Sequence, residues 1–280
     1  MTYLFLILRI LSTPFANAFQ KKIVQNISAT VSNFYIYLLL SIGCIPFMTQ
    51  VSWSTLPASV YYNALISGIL CATGTICLIK ALENGELSIL GPINSYKCIV
   101  GLISAFVLVG EIPNVAGVVG MILIIYGSRF IFETTKEGFS FALFKRRDIQ
   151  LRLLALILSG TEAGILKKVI IQSSPEISFY LWCVLTCIFS FFILIFSGKK
   201  FEKPVNLKDY FIVAVSIAVM QLSTNIVFKN MNVGFALALF QLSTLVTLFL
   251  GFRMFNEHDM KKKIIGTVIM ILGSVMILSF

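Results

Sequence analysis

Histidine and charge are what this sequence has least of. One histidine, His258, stands among 280 residues, and only 12% are Asp, Glu, Lys or Arg, about half the share of an ordinary soluble domain. With 58% hydrophobic residues, such a chain cannot cover its own surface with polar groups, which excludes a soluble globular fold. No GxxxxGK[ST] phosphate loop occurs, which disfavours an ATP-driven pump. There is no CxxC pair and no histidine near a cysteine, so metal-ligand spacing is missing. Cys44, Cys71, Cys77, Cys98, Cys183 and Cys187 all lie in apolar runs and read as small packing residues. Carboxylates are scattered and His258 sits among loop charges, so the clustered groups of hydrolytic or transfer chemistry are absent from the pattern. The reading is a non-enzyme with no cofactor and no metal.

What is present in quantity is apolar sequence in long continuous runs. About 20 residues of α-helix cross a 30 Å hydrocarbon core, and runs of that size recur along nearly the whole chain. They do not alternate apolar and polar as barrel strands would. Spans are expected near residues 3 to 22, 33 to 51, 60 to 80, 87 to 109, 114 to 133, 151 to 171, 177 to 197, 209 to 228, 233 to 254 and 263 to 280. The expected class is an all-α integral membrane protein of about ten transmembrane helices. Ala16-Asn17-Ala18 imitates a signal-peptidase site, but the stretch before it lacks a basic n-region and holds Arg9, so it is kept as a membrane helix.

The two halves repeat each other. Ala18-Phe19-Gln20-Lys21-Lys22-Ile23-Val24 matches Gly164-Ile165-Leu166-Lys167-Lys168-Val169-Ile170, and Phe34-Tyr35-Ile36-Tyr37 matches Phe179-Tyr180-Leu181-Trp182. Glu111, Gly120, Gly127 and Ser128 fall on Glu257, Gly266, Gly273 and Ser274 at one constant offset. The division is residues 1–133 for the first five-helix repeat, 134–149 for a basic linker and 150–280 for the second. An odd number of spans per repeat makes the second copy enter from the opposite side. Inverted repeats of this kind mark transporters, with the solute site near the midplane.

The formal net charge of +10 would suggest nucleic acid in a soluble protein. Here the basic residues sit mostly between spans, so anionic lipid headgroups are the expected partners and nucleic acid is not. Loops joining spans 1 to 2, 3 to 4, 5 to 6, 7 to 8 and 9 to 10 hold most of them, Lys21, Lys22, Arg152 and Lys263 included. That bias places both termini away from the cytoplasm.

At this point the chain resembles the drug/metabolite transporter superfamily, specifically its EamA-type ten-helix members. The resemblance rests on Lys80-Ala81-Leu82-Glu83 through Gly91-Pro92-Ile93, on Gly110-Glu111, and on Gly117, Gly120 and Gly127. The second half repeats it with Asn256-Glu257, Gly266 and Gly273, but has Gln241 where the first half has Pro92. The resemblance implies a multi-pass protein of the cell (inner) membrane with cytoplasmic termini, against the charge bias. It does not name a substrate.

Lys97 and Glu162 are the ionisable residues nearest the centres of their spans. A charge at the bilayer centre costs about 2.5 to 3.5 kcal/mol on insertion scales, so it persists where it is paired, hydrated or functional. Gly91, Asn94, Lys97, Gly101 and Ser104 form a small or polar stripe at helical spacing. Gly160 and Gly164 suggest a close helix contact, with Glu162 pointing away from it towards a cavity. Two readings stand: an ion pair tying the halves together, or a pair in which Lys97 binds an anionic group and Glu162 exchanges a proton. Asn17, Tyr61, Asn63, Gln221, Asn225, Gln241 and Thr244 are further candidates for the cavity wall, as are the repeat-related Tyr37 and Trp182. Arg9 reads as a snorkelling residue. Glu111 and Glu257 read as carboxylates complementing the helix that each precedes. The expected function is a secondary transporter, an exporter of a small metabolite or drug-like compound, with proton coupling and a homodimer both compatible. The alternatives are a membrane-embedded enzyme or a non-transporting scaffold.

Overall fold

A computed structural model of the chain describes residues 1–100, 115–204 and 206–278, and every described element is helical. The elements are α1 (Thr2–Ile23), α2 (Ala29–Met48), α3 (Ala58–Asn84), α4 (Leu87–Leu90), α5 (described over 96–100), α6 (Val115–Phe132), α7 (Arg147–Gln172), α8 (Pro175–Phe196), α9 (Leu207–Asn230), α10 (Val233–Leu239), α11 (Ser243–Phe255) and α12 (Met260–Leu278). Among the described residues, seven candidate spans can cross a membrane by length and composition: α1, α2, α3, α6, α8, α9 and the joined α10 and α11. Glu111 and the Gly101 to Ser104 part of the expected stripe lie outside the described residues.

Local chemistry sets several ends. Ser174 accepts from the Ile177 amide with Pro175 at the first helical position of α8, and Asn206 and Asn232 cap α9 and α10 in the same way. Lys21 and Lys22 occupy the negative end of α1. Asn256, in the left-handed region at φ 51°, stops α11.

Two helices are broken, at related places in the two halves. Between α4 and α5 the chain runs as a 3-10 turn from Pro92 to Ser95, because Pro92 has no amide to donate back. Between α10 and α11 it does so from Phe240 to Leu242 without a proline. There the Gln241 side chain donates to the Leu237 carbonyl four residues back, 2.9 Å away. Asn94 Nδ2 donates to Gln241 Oε1 at 3.2 Å, so the two breaks meet.

Exchanging the halves preserves the packing partners. α3 packs on α7 as α1 packs on α9, and α2 meets α8. The rings of Tyr37 and Trp182, which match in the repeat, touch edge to face at 5.2 Å. α6 and α12 cross in opposite directions with Gly120 against Gly273 and Gly127 against Gly266. A Cβ on any of the four would lie 2.5 to 2.7 Å from the facing carbonyl oxygen. Small residues are what permits that approach.

Three expectations are corrected. Among the described residues nothing lies within 4 Å of a Cβ placed on Gly160 or Gly164, so that spacing makes no contact with a described helix. Glu257 does complement a helix end, but of α4 rather than α12: its oxygens accept from the amides of Leu87 and Ser88 at 2.7 and 2.8 Å, and Lys21 pairs with it at 2.7 Å. Arg152, Lys21 and Lys263 are not free loop charges. Arg152 is buried inside α7, and Lys263 is buried against Glu86 and Ser88. The charge bias therefore overstates how much positive charge the lipid surface meets.

Candidate functional site

The broken helices border a cavity of about 170 Å³ between the halves, walled by residues of α1, α2, α3, α5, α7, α8, α9, α10 and α11. α1 presents Arg9, Thr13, Asn17 and Gln20 to it, at the three- and four-residue steps of one helix face. α7 presents Arg152, Ser159 and Glu162 in the same manner. Aromatic rings of Tyr37, Trp182, Phe228 and Phe240 supply the apolar wall.

Of the residues expected from sequence, Lys97, Glu162, Asn94, Asn17 and Gln221 line this one cavity, with Thr244, Tyr37 and Trp182. Gln241 and Asn225 stand behind the wall, fully buried. Gln241 holds Asn94, and Asn225 accepts from Gln221 Nε2 at 3.0 Å while donating to the Pro175 carbonyl. Tyr61 does not reach the cavity: its hydroxyl donates to the Trp53 carbonyl at 2.6 Å, and its ring packs beside Val60 and Leu181. Asn63 instead donates to the carbonyl of Ser59, one turn back.

Lys97 and Glu162 share the cavity without forming a direct ion pair. Glu162 Oε1 accepts from Ser67 Oγ at 3.0 Å and from Trp182 Nε1 at 3.1 Å, both neutral donors. The Lys97 ammonium has no hydrogen-bond or ion-pair partner among the described residues.

Two arginines complete the set, and sequence reasoning set both aside. Arg9 does not snorkel: Nε donates to Thr224 Oγ1 at 2.7 Å and the guanidinium lies 4.6 Å over the Phe240 ring. Arg152 donates from Nε to the Leu90 carbonyl at 2.8 Å and from Nη2 to Asn94 Oδ1 at 3.1 Å. It thereby covers the carbonyl end of α4, where a cation is favoured. The signal was available in the polar face of α1 and in the spacing of Arg152, Ser159 and Glu162 along α7. Nearness to a span edge hid it.

A multi-pass helical membrane protein with a polar cavity between similar halves is the class this arrangement defines. The model of the EamA-like transporter family matches residues 1–133 and again 148–279. The chain belongs to that family. None of the curated proteins matches it. A solved structure, described only as a crystal structure of a protein, superposes with a TM-score of 0.69 over 99% of this chain and 96% of its own, at 15% identity. At that identity the likeness is one of fold. The family is one of transporters rather than enzymes.

Proposed function

We propose that the protein is a secondary transporter that moves a small solute, as an exporter, by alternating access across a cell (inner) membrane. In this reading about ten helices span the bilayer as two inverted repeats, residues 1–133 and 150–280, joined by a basic linker. The observation that carries it is the meeting of two repeat-related helix breaks, through Asn94 and Gln241, beside a cavity holding Lys97 and Glu162. Broken helices expose backbone groups that only a protein-lined or water-filled site tolerates, and they place helix ends where a solute binds. The antiparallel crossing of α6 and α12 supports the inversion, since exchanging the halves returns the same glycine contacts. Glu162, held by neutral donors and facing the cavity, is the group for proton coupling in this mechanism.

The test is uptake of small metabolites into liposomes holding the purified protein, with and without an imposed pH gradient. Solute-dependent flux is expected, responsive to the gradient, and reduced about ten- to hundredfold in Lys97→Ala and Glu162→Gln, as befits loss of a charge-assisted contact. Absence of flux across a broad panel, or flux unchanged in both variants, contradicts the proposal.

A further inference from the structure

Among the described residues the cavity's charges do not balance from within: Arg9, Lys97 and Arg152 face a single carboxylate, Glu162. Arg152 is accounted for, since it covers the partly negative carbonyl end of α4 and holds Asn94. Glu162 offsets one unit of this charge, but its bonded oxygen is held by the neutral Ser67 and Trp182 and it forms a direct pair with neither remaining cation. That leaves Arg9 and Lys97. Arg9 spends only Nε on Thr224, and its Nη1 is buried with no hydrogen-bond partner among the described residues. Lys97 has no acceptor at all among them. Removing a cation from water without a partner costs several kcal/mol, so an anion entering this cavity would gain from Arg9 Nη1, which is buried without a partner, and from Lys97 beside it.

We propose that the solute is a compact organic anion whose carboxylate or phosphate-ester oxygens are held between Arg9 and Lys97, its apolar body lying against the partly exposed Leu70, Leu78, Met220 and Leu237 of the cavity wall. This deepens the transporter reading and rests on it. At about 170 Å³ the cavity is close to the engineered apolar cavity of about 150 Å³ that holds benzene, so it has room for one ring or a short chain. The mutually packed rings of Phe228 with Phe240 and of Tyr37 with Trp182 back the wall, and the apolar surface left open is that of Leu70, Leu78, Met220 and Leu237. Arg9, already seated on Phe240, is pre-oriented, and a planar guanidinium suits a carboxylate or phosphate.

The experiment is equilibrium binding to the purified full chain by titration calorimetry, using five probes: benzoate, phenyl phosphate, benzamide, benzylamine and inorganic phosphate. Benzoate or phenyl phosphate is expected to bind, whichever is tighter identifying the anionic group, with benzamide and benzylamine about ten- to hundredfold weaker. Arg9→Gln and Lys97→Gln should each weaken the anions by a similar factor without changing the amide, while Arg9→Lys recovers part of the loss. Unchanged thermal unfolding of Arg9→Lys guards against misfolding as the cause. Equal or tighter binding of benzamide or benzylamine overturns the inference. So does failure of both organic anions to bind, inorganic phosphate binding as tightly as either, or an anion preference that survives in the Arg9→Gln, Lys97→Gln double variant. Flux in liposomes separates the two claims. Anion binding without flux removes the transporter and keeps the site, whereas flux of neutral or cationic solutes without anion binding removes the site and keeps the transporter.

Discussion

Leucine at Gly127 is expected to stop α6 from closing on α12, and alanine there to cost about 1–3 kcal/mol, the usual range for overpacking. The new Cβ would lie 2.7 Å from the Gly266 carbonyl oxygen and 3.0 Å from the Met270 amide nitrogen. These are backbone atoms of a facing helix, so no rotamer change relieves the clash and the helices must separate. The effect propagates because Gly120, Gly266 and Gly273 make the same kind of approach along the same crossing. Alanine's better helix propensity, worth about 0.5–1 kcal/mol over glycine, offsets only part of the loss. Gly160→Ala is the control, since among the described residues nothing lies within 4 Å of its added Cβ, and it should unfold at the parent's temperature or slightly above. Thermal unfolding in detergent, with size-exclusion profiles, reads all three. Equal stability of Gly127→Ala and Gly160→Ala would contradict the tight crossing.

Glu257→Ala should cost about 3–5 kcal/mol, the range for breaking one member of a buried ion pair. Glu257 ties two elements to its own loop: α1, through the Lys21 ammonium at its end, and α4, through the Leu87 and Ser88 amides that open it. Gly251 makes room for it, as a Cβ there would meet a Glu257 oxygen at 2.6 Å. Alanine would leave a partly buried lysine and two helix-end amides without this acceptor. Burial alone would raise the Glu257 carboxyl, but Lys21 and the hydrogen bonds from Ser88 outweigh it and hold the group below its ordinary value. A carboxylate lowered on folding contributes fully above its unfolded pKa of roughly 4.3, and the contribution is lost as pH falls through the folded value. The parent and Glu257→Ala should therefore differ most near neutrality and converge in acid. A gap that stays constant or widens as pH falls would show that the carboxylate's charge is not what holds these pieces together.

Helices were legible in this sequence because lipid demands continuous apolar runs, and the repeat was legible because it was copied in order. The break at Pro92 has a signal in the missing amide, which the reading of one continuous span over 87 to 109 passes over. Its counterpart at Gln241 has no such signal, because there a side chain rather than a ring manages the change of pitch. Lys97 and Glu162 stood out as charges far from any span edge, and they do face one cavity. Arg9 and Arg152 sit nearer the edges, where hydropathy cannot tell a residue that reaches outward from one that turns inward. Tyr61 shows the reverse error, a polar residue satisfied locally by Trp53. Periodicity names the face of a helix but not its neighbour. That is why the glycines of α6 and α12 and those of α7 look alike as sequence, although only the former meet another backbone.

The proposed mechanism requires one cavity to be reached from either side of the membrane in turn. A single cysteine at Ser159, which lines the cavity, in a background with the six native cysteines replaced, puts this to a direct measurement. A membrane-impermeant maleimide applied to right-side-out and to inside-out vesicles should modify it in both, and a bound solute should slow both reactions. Modification from one face alone, whatever the solute or pH gradient, would contradict alternating access.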